Sequence, residues 1–201
     1  MYRGIWSLAL CKPTIRRSAR DGDIIIAVTP KEDGQDGHRL SSWAKVSGRV
    51  SMEEFSRIHS PNRPDNIYEK LPRGKYVRRR NVKHELHNTK EDLQHDLGKD
   101  GKNAWALVST DFFAFGNHAV DFFEWTQGLS HLRSEVKKLG RAFRRKFNRD
   151  VENDLQKLKR TLKKNFPKFH NKKFKPQHPG LNVPCESNAE EKRFTCVKTK
   201  R

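Results

Sequence analysis

The sequence has few cysteines, a deficit of acidic residues and no long apolar run. Its three cysteines among 201 residues are too few for a disulfide framework, and an odd number is typical of a reducing compartment. A cytoplasmic location is therefore predicted. No stretch approaches the roughly 20 apolar residues needed to span a bilayer, so a membrane is not an expected partner.

Several catalytic motifs are also missing. The chain has no Gly-rich phosphate loop with its lysine, no nucleophile elbow and no deaminase His-x-Glu with Cys-x-x-Cys. His84 and His87 are three residues apart, whereas a metalloprotease helix needs a spacing of four. His95 and Asp96 lie nearby, but without a second spaced pair these histidines are interpreted as polar surface residues. Neither a metal nor a cofactor is predicted.

Positive charge is concentrated in the last third of the chain. Residues 1–130 carry 21 Lys and Arg against 17 Asp and Glu, and residues 131–201 carry 22 against 7. The net charge of +19 indicates a polyanionic partner, because each cation that neutralises a phosphate releases condensed counterions. Nucleic acid is the expected partner, and an anionic membrane surface is the weaker alternative.

The first 28 residues predict a strand, a cationic connection, a tight turn and a second strand. Residues 5–10 are mostly apolar, and residues 24–28 are an unbroken apolar run, as expected for a strand that is covered on both faces. The Asp-Gly-Asp sequence at 21–23 predicts the turn, since glycine accepts a positive φ. The cations between the two strands, which could receive an anion, are Lys12, Arg16, Arg17 and Arg20.

Cys11 lies beside these cations, which would favour its thiolate form. A reactive thiol is therefore conceivable, although a small buried cysteine is the favoured interpretation.

The middle of the chain predicts two more strands and a helix. Residues 40–50 alternate loosely and fit a third strand. Ser51 and Glu54 match a capping box, which predicts a helix from Met52 to about His59 with Met52, Phe55 and Ile58 on one face. Residues 104–108 predict a buried strand. The rings that follow it could stack on a base or fill the core, and core filling is favoured; they are Phe112, Phe113 and Phe115.

Residues 129–166 predict one long basic amphipathic helix, because apolar residues recur at steps of three or four. Its apolar stripe could pack on the domain, mediate self-association or bind a partner protein. Its cations are expected to bind a phosphate backbone; the named candidates are Arg141, Arg144, Arg145, Lys146 and Arg149. Residues 167–201 are predicted to be a disordered basic tail.

Four ordered blocks of sequence resemble the second type of nucleotide modification associated domain. The first block is Cys-Lys-Pro-x-Ile-Arg-Arg at 11–17, and the second is Gly-Asp at 22–23. The third is Arg-Pro-Asp-Asn-Ile-Tyr at 63–68, and the last comprises the distal positions His87, Asp111, Phe113, Phe115 and Gly116. The resemblance covers residues 6 to about 120. Family members often have an aromatic residue after Gly-Asp, where this chain has Ile24, and that departure puts a role for the missing ring in doubt.

The resemblance implies a small α+β domain of bacteria and phages that acts beside enzymes of DNA base hypermodification. The sheet pattern is also similar to barrels of the pseudouridine-synthase-and-archaeosine-transglycosylase type, which implies a mixed, partly barrel-like sheet. By that analogy, phosphate would lie at the arginines, an aromatic ring would stack on the base and short polar groups would bind its edge. The implied base site comprises Cys11, Lys12, Arg16, Arg17, Asp65, Asn66, Tyr68, Asp111, Phe113 and Phe115, with Trp6 as an alternative stacking ring.

The expected organisation is an α+β domain at 1–125, the basic helix at 129–166 and the tail at 167–201. The leading hypothesis is a module that binds nucleic acid or a modified base, with DNA preferred over RNA. An enzyme acting on a nucleotide or hypermodified base is the alternative, and a structural basic protein without a pocket is a further one. The hypothesis requires that the arginines near Cys11 and the rings near Asp111 converge on one cavity.

Overall fold

The computed structural model describes residues 4–29, 38–59, 63, 65–80, 87, 89–139 and 147–171, and the backbone of 195–198. These residues form an α+β fold. Its strands are β1 (Trp6–Leu8), β2 (Ile24–Val28), β3 (Arg39–Lys45), β4 (Gly48–Ser51), β5 (Tyr68–Lys70), β6 (Tyr76–Arg78), β7 (Trp105–Ser109), β8 (Asp111–Ala114), β9 (Val120–Asp121) and β10 (Thr195–Lys198). Its helices are α1 (Pro13–Ser18), α2 (Met52–Ile58), α3 (Lys90–Leu97), α4 (Phe122–Trp125), α5 (Ser130–Leu139) and α6 (Arg149–Asn165).

The strands form three antiparallel sheets. The first has the order β1-β7-β4, and the second has the order β10-β2-β3-β8 with β9 also paired to β3. The third is the β5-β6 hairpin. β3 continues into β4 and β7 continues into β8, and these strands pair as β3 with β8 and β4 with β7. The chain therefore passes from one sheet to the other at a shared corner, where the Ser109 hydroxyl donates to the Lys45 carbonyl at 2.6 Å.

Strand β2 is covered on both faces, which confirms the prediction from its apolar run. Ile24, Ile26 and Val28 face the cluster that contains the helices α5 and α6, whereas Ile25 faces a second cluster with Trp6. This alternation follows from the two-residue period of a strand. The second sheet is thus the central layer of the described fold.

The turn before β2 also forms as predicted. Gly22 has a φ of 86°, a region that favours glycine because it lacks a Cβ atom. The Asp23 carboxylate accepts a hydrogen bond from the Arg20 amide at 2.8 Å. The cationic connection that precedes the turn is not a loop, however, because residues 13–18 form helix α1.

The segment predicted as a third strand is divided into β3 and β4 by the corner between the sheets. Helix α2 follows, and the Ser51 hydroxyl caps it by accepting from the Glu54 amide at 3.1 Å, as predicted. Met52 and Phe55 are buried, but Ile58 is 52% exposed. The predicted apolar face therefore extends over only the first part of this helix.

The prediction of one continuous helix over residues 129–166 is wrong. Two helices form instead, with residues 140–146 between them outside the described part of the chain. The Leu132 amide donates to the Asp154 carboxylate at 3.1 Å, whereas 22 residues of straight helix would span about 33 Å. The two helices therefore pack side by side.

The reason for this arrangement is that both apolar faces are needed in the core. Leu132, Val136, Leu155 and Leu158 pack against one face of the central sheet in a cluster that also contains Trp43. The core therefore continues across residue 125, and the helices are layered on the sheet instead of extending from it as an arm.

The barrel-like expectation is also not met. The described strands form separate sheets with no closed barrel, because helices cover the central sheet on one face. Of the segment predicted to be disordered, residues 167–171 continue the fold, since the Asn171 amide donates to the Phe112 carbonyl at 2.9 Å. Backbone 195–198 pairs with β2 as β10, and the rest of that segment lies outside the described residues.

Candidate functional site

The backbone at Cys11 and Lys12 has an unusual conformation. Their φ angles are 53° and 43°, in the left-handed region that residues with a Cβ atom adopt at a cost of about 1–3 kcal/mol. Pro13 then begins helix α1. Two strained residues in succession place the Cys11 side chain at the point where the chain turns from strand β1 into the helix.

Cys11, His87 and Asp96 form a compact side-chain cluster. The Cys11 Sγ atom lies 3.5 Å from Nε2 of His87, and Nδ1 of the same ring lies 2.8 Å from Oδ2 of Asp96. The Cys11 amide donates to the other carboxylate oxygen of Asp96 at 2.7 Å. One carboxylate therefore positions both the imidazole and the backbone of the cysteine.

Burial increases from Cys11 through His87 to Asp96. Cys11 is partly exposed, His87 is 4% exposed and Asp96 is fully buried. Cys11 is thus the most exposed residue of the three, and Asp96 is the most deeply buried. This is the order that a nucleophile, a base and an orienting group require.

Arg16 holds the elements around this cluster together. Its guanidinium is fully buried and donates to four backbone carbonyls, those of Cys11 at 2.7 Å, Asn103 at 3.0 Å, Trp105 at 2.6 Å and Asp96 at 2.5 Å. Burial lowers the pKa of Arg16 to about 10, against the opposing attraction of Asp96. The guanidinium stays charged at neutral pH, but it faces the protein interior and is not placed to contact a phosphate.

Asp96 is held in its ionised form. Burial acts to raise the pKa of this carboxyl, but the His87 contact, the charge of Arg16 and the Tyr68 hydrogen bond outweigh burial, so the pKa lies below its usual range. The Tyr68 hydroxyl donates to Oδ2 at 2.9 Å. Burial and the adjacent Asp96 in turn raise the pKa of Tyr68, so Tyr68 remains a hydrogen-bond donor.

The Cys11 sulfur is in a disulfide. The low cysteine count predicted no disulfide framework, and it did not predict this disulfide. The chain has two other cysteines, Cys185 and Cys196. Thiol chemistry at Cys11 therefore requires reduction of this disulfide.

The same three residues could be considered as metal ligands, since their ligand atoms all lie within 4.8 Å of one another. The Cys11 sulfur is in a disulfide and is therefore not a thiolate ligand, so the oxidised cluster offers His87 and Asp96. Two protein ligands are fewer than the three of an ordinary catalytic zinc site.

The third sequence block divides between two locations. Tyr68 reaches the Asp96 cluster, whereas Asp65 pairs with Arg63 at 2.5 Å and accepts a hydrogen bond from Ser7. The side-chain amide of Asn66 donates to the His59 carbonyl at 3.0 Å. Asp65 and Asn66 therefore connect loops near strand β1 and helix α2.

The distal block lies elsewhere. Asp111 contacts Lys159 at 2.5 Å and His170 at 3.2 Å. The Trp105 carbonyl bonded to Arg16 is at the opposite end of β7 from Asp111, and that strand spans about 13 Å. The structure thus does not bring the arginines near Cys11 and the Asp111 region together.

The rings of the distal block fill the core, as the favoured interpretation predicted. Phe112, Phe113 and Phe115 are all 0–1% exposed, so stacking on a base would require the core to open. The idea of a single cavity lined by these rings and by Arg16 is therefore wrong for the described structure.

The remaining cationic candidates differ in position. Lys12 is partly exposed beside Cys11, and Arg17 is exposed on helix α1. Arg149 is exposed at the start of helix α6. Arg141, Arg144, Arg145 and Lys146 lie outside the described residues.

Sequence reasoning considered His87 and Asp96 together only as metal ligands and interpreted the histidines as surface residues, which is wrong for His87 because it is buried. The two residues are nine positions apart, and Cys11 is another 76 positions away from His87, so no periodic pattern relates them. Two signals in the sequence pointed to this cluster. Cys11 lies among cations, and His87 is one of the distal positions of the fourth block.

The fold and site define an α+β protein with a Cys-His-Asp cluster at a strained turn. The family model for nucleotide modification associated domain 2 matches residues 1–178, and the chain belongs to that family. This confirms the resemblance and extends it through helices α5 and α6. No curated protein and no solved structure matches the chain. No helix of the described residues is both long and apolar enough to cross a membrane.

Proposed function

We propose that this protein is a cysteine-dependent enzyme that acts on a nucleotide or a modified base. The observation that carries the proposal is the pair of contacts made by the His87 ring, with Sγ of Cys11 at 3.5 Å and with the Asp96 carboxylate at 2.8 Å. Membership of a family associated with nucleotide modification supports the class of substrate. The proposal favours the enzymatic alternative over a pure binding module.

The chemistry begins with reduction of the Cys11 disulfide by a dithiol, which supplies two electrons and two protons and yields the thiol. The thiol proton passes to Nε2 of His87, and the sulfur forms a bond to an electrophilic carbon of the substrate. The leaving group departs with the proton from Nε2. Water then donates a proton to His87 and attacks the same carbon, the carbon–sulfur bond breaks and the thiol recovers the proton.

Asp96 contributes by orienting the ring. Its contact with Nδ1 favours the imidazole tautomer whose Nε2 lone pair faces sulfur, and it stabilises the imidazolium that forms. The cost of burying the carboxylate is offset by Arg16 and Tyr68. The distance of 3.5 Å between Sγ and Nε2 is longer than a tight hydrogen bond. Such long distances between catalytic groups are common before a substrate is bound.

The test uses iodoacetamide as a probe of Cys11. The parent protein carries Cys185→Ser and Cys196→Ser, so that Cys11 is its one cysteine, and alkylation is followed by mass spectrometry at pH 7. We expect His87→Gln to lower the alkylation rate by about tenfold, because the thiolate loses its proton acceptor. His95→Gln is the matched control, since His95 is exposed although it adjoins Asp96 in helix α3, and it should leave the rate unchanged. Equal rates in the two variants would remove the basis for the proposal.

A second proposed role is contact with nucleic acid, supported by the exposed face of helix α6. Val151, Leu155, Leu158 and Leu162 are buried, and the opposite side carries exposed cations; these are Arg149, Lys157, Arg160, Lys163 and Lys164. Such a surface binds phosphates without sequence preference. DNA is the preferred partner in this proposal, and RNA is the competing one.

This role is tested with duplex DNA and duplex RNA of one sequence over a range of salt concentrations. Replacing Lys163 and Lys164 with Gln should reduce the slope of log affinity against log salt by about 0.9 for each phosphate that the variant no longer neutralises. An unchanged slope on both nucleic acids would show that helix α6 does not contact the backbone.

A further inference from the structure

Helix α5 lines a groove in the helical layer. The groove has a volume of about 380 Å³ and is bordered by Gly128, Ser130, Arg133, Ser134 and Lys137. Most of the residues that border it are exposed, so the groove is shallow and open to solvent. The helix covers one face of the central sheet, whereas the Cys11 cluster is associated with the other sheet, so the groove is separate from the proposed catalytic site.

The side chains of the groove share one face of the helix. Ser130, Arg133, Ser134 and Lys137 follow the i, i+3, i+4, i+7 spacing that places residues on a single stripe. They supply two hydroxyl groups and two cations. No carboxylate is among the described residues that border the groove. Helix α5 thus presents hydrogen-bond donors and positive charge together.

The two cations are neighbours at i and i+4 of helix α5, and both pack against the ring of Phe123. The Arg133 guanidinium lies 5.0 Å from the centroid of Phe123, and the Lys137 ammonium lies 5.5 Å from the same centroid. Arg133 also donates to the Phe123 carbonyl at 2.5 Å, which fixes its orientation. Like charges held near each other repel, and an anion between them relieves that repulsion.

The border of the groove at Gly128 is open. Gly128 has a φ of 76°, and a Cβ atom built there would have no neighbour within 4 Å. A ligand can therefore approach the helix past this residue without meeting a side chain.

We infer that the α5 groove is a phosphate-binding site, with Arg133 and Lys137 as charge partners and with Ser130 and Ser134 as hydroxyl donors. Its ligand is a phosphate ester, and the source is either a nucleoside monophosphate or a polynucleotide backbone. The inference does not depend on Cys11, so it can fail or succeed independently of the proposed function.

The test compares Lys137→Gln with Lys138→Gln. The two changes remove the same charge from neighbouring positions of one helix, but Lys138 is 60% exposed and paired with Glu135, and it does not border the groove. The probes are thymidine monophosphate, thymidine and a single-stranded oligothymidylate, followed by NMR shifts of the helix α5 amides and by titration at several salt concentrations. Thermal unfolding of both variants checks that the helix remains folded.

We expect thymidine monophosphate to shift the amides of Arg133 and Ser134, and thymidine to leave them unchanged. Lys137→Gln should weaken the phosphate-dependent binding about tenfold, as expected for loss of a charged hydrogen bond, and Lys138→Gln should not. An effect restricted to oligothymidylate identifies the backbone as the source. Equal affinities of the two variants for both phosphate-bearing probes, or no phosphate-dependent shift, would overturn the inference.

Discussion

Two aspartate–histidine pairs in this protein show how surroundings decide what such a pair can do. In one pair, Asp96 is buried and contacts Nδ1 of His87, whose other nitrogen faces the Cys11 sulfur. In the other, Asp111 is 31% exposed and contacts Nε2 of His170 and the ammonium of Lys159. The first pair therefore has an order suited to proton transfer, whereas the second connects helix α6 and residues 167–171 to the central sheet.

The two pairs differ in the groups that surround the histidine ring and the carboxylate. The His170 ring packs against Phe113 with a centroid distance of 4.7 Å, and the Lys159 ammonium lies 5.2 Å from the Trp43 ring. With these neighbours, Asp111 connects helix α6 and His170 to the central sheet. A carboxylate beside a histidine is thus not by itself a sign of catalysis, and the position of the third group distinguishes the two pairs.

The largest effect is expected from Asp96→Asn. This change leaves the buried Arg16 charge without its partner and removes an acceptor shared by Tyr68 and the Cys11 amide, so the free energy of unfolding should fall by roughly 3–5 kcal/mol. Urea denaturation at pH 7 measures the loss. A loss no larger than that of Asp111→Asn would contradict the contrast between the pairs.

Lowering the pH should reduce the free energy of unfolding by a smaller amount. The pKa values of Asp96 and Asp111 are lowered in the fold, so their ionised forms contribute stability that is complete above the unfolded-state pKa of about 3.9. That stability should be lost as pH falls through the lowered folded values. Urea denaturation of the wild type between pH 7 and pH 2 should show this decrease.

The corresponding variants separate the two contributions. Asp96→Asn should flatten the pH dependence more than Asp111→Asn does, because Asp96 is the more deeply buried carboxylate. Parallel curves for the wild type and Asp96→Asn would show that Asp96 is not linked to acid stability.

Tyr68→Phe should have the next effect. It removes one donor to Asp96 while keeping the ring in its core cluster, so a loss of about 1–2 kcal/mol is expected in the free energy of unfolding. The iodoacetamide rate at Cys11 should also change, because Tyr68 no longer donates to the carboxylate that contacts both His87 and the Cys11 amide. Tyr76→Phe is a control, since Tyr76 belongs to the same hairpin, and it should leave the Cys11 rate unaltered.

The smallest effect is expected from Asp111→Asn. The pair with Lys159 is partly exposed, so its loss should cost no more than about 1 kcal/mol. Thermal unfolding measures the loss, and the Cys11 alkylation rate should be unaffected. A change in that rate would show that the two pairs are coupled across the fold.

Much of the local structure could be predicted from short stretches of sequence. The run at 24–28 predicted a strand with two covered faces, Gly22 predicted a turn and Ser51 predicted a helix start, because each depends on neighbouring residues. The helix prediction at 129–166 was wrong because periodicity gives the apolar face but not the point where a chain reverses. Ile58 was assigned to the core for a similar reason, since its burial depends on what packs over the end of α2.

The candidate site was only partly predictable. Cys11 and His87 stood in matched blocks, and Tyr68 was named as a base-stacking ring, although it donates a hydrogen bond to Asp96. Arg16 was expected to bind phosphate because a cluster of cations in sequence indicates an anion. Its burial follows from contacts with carbonyls near residues 96, 103 and 105, which no local pattern relates to residue 16.

The sequence by itself determined the family, the basic charge of the last third and the strands whose apolar pattern requires two covered faces. These properties follow from composition, ordered motifs and short-range periodicity. Only the tertiary structure decided that Asp96 joins His87 and Cys11, that the helices return onto the central sheet and that the phenylalanine rings are in the core. The reason is that each of these depends on contacts between residues far apart in the chain, whose formation is governed by the packing of whole layers.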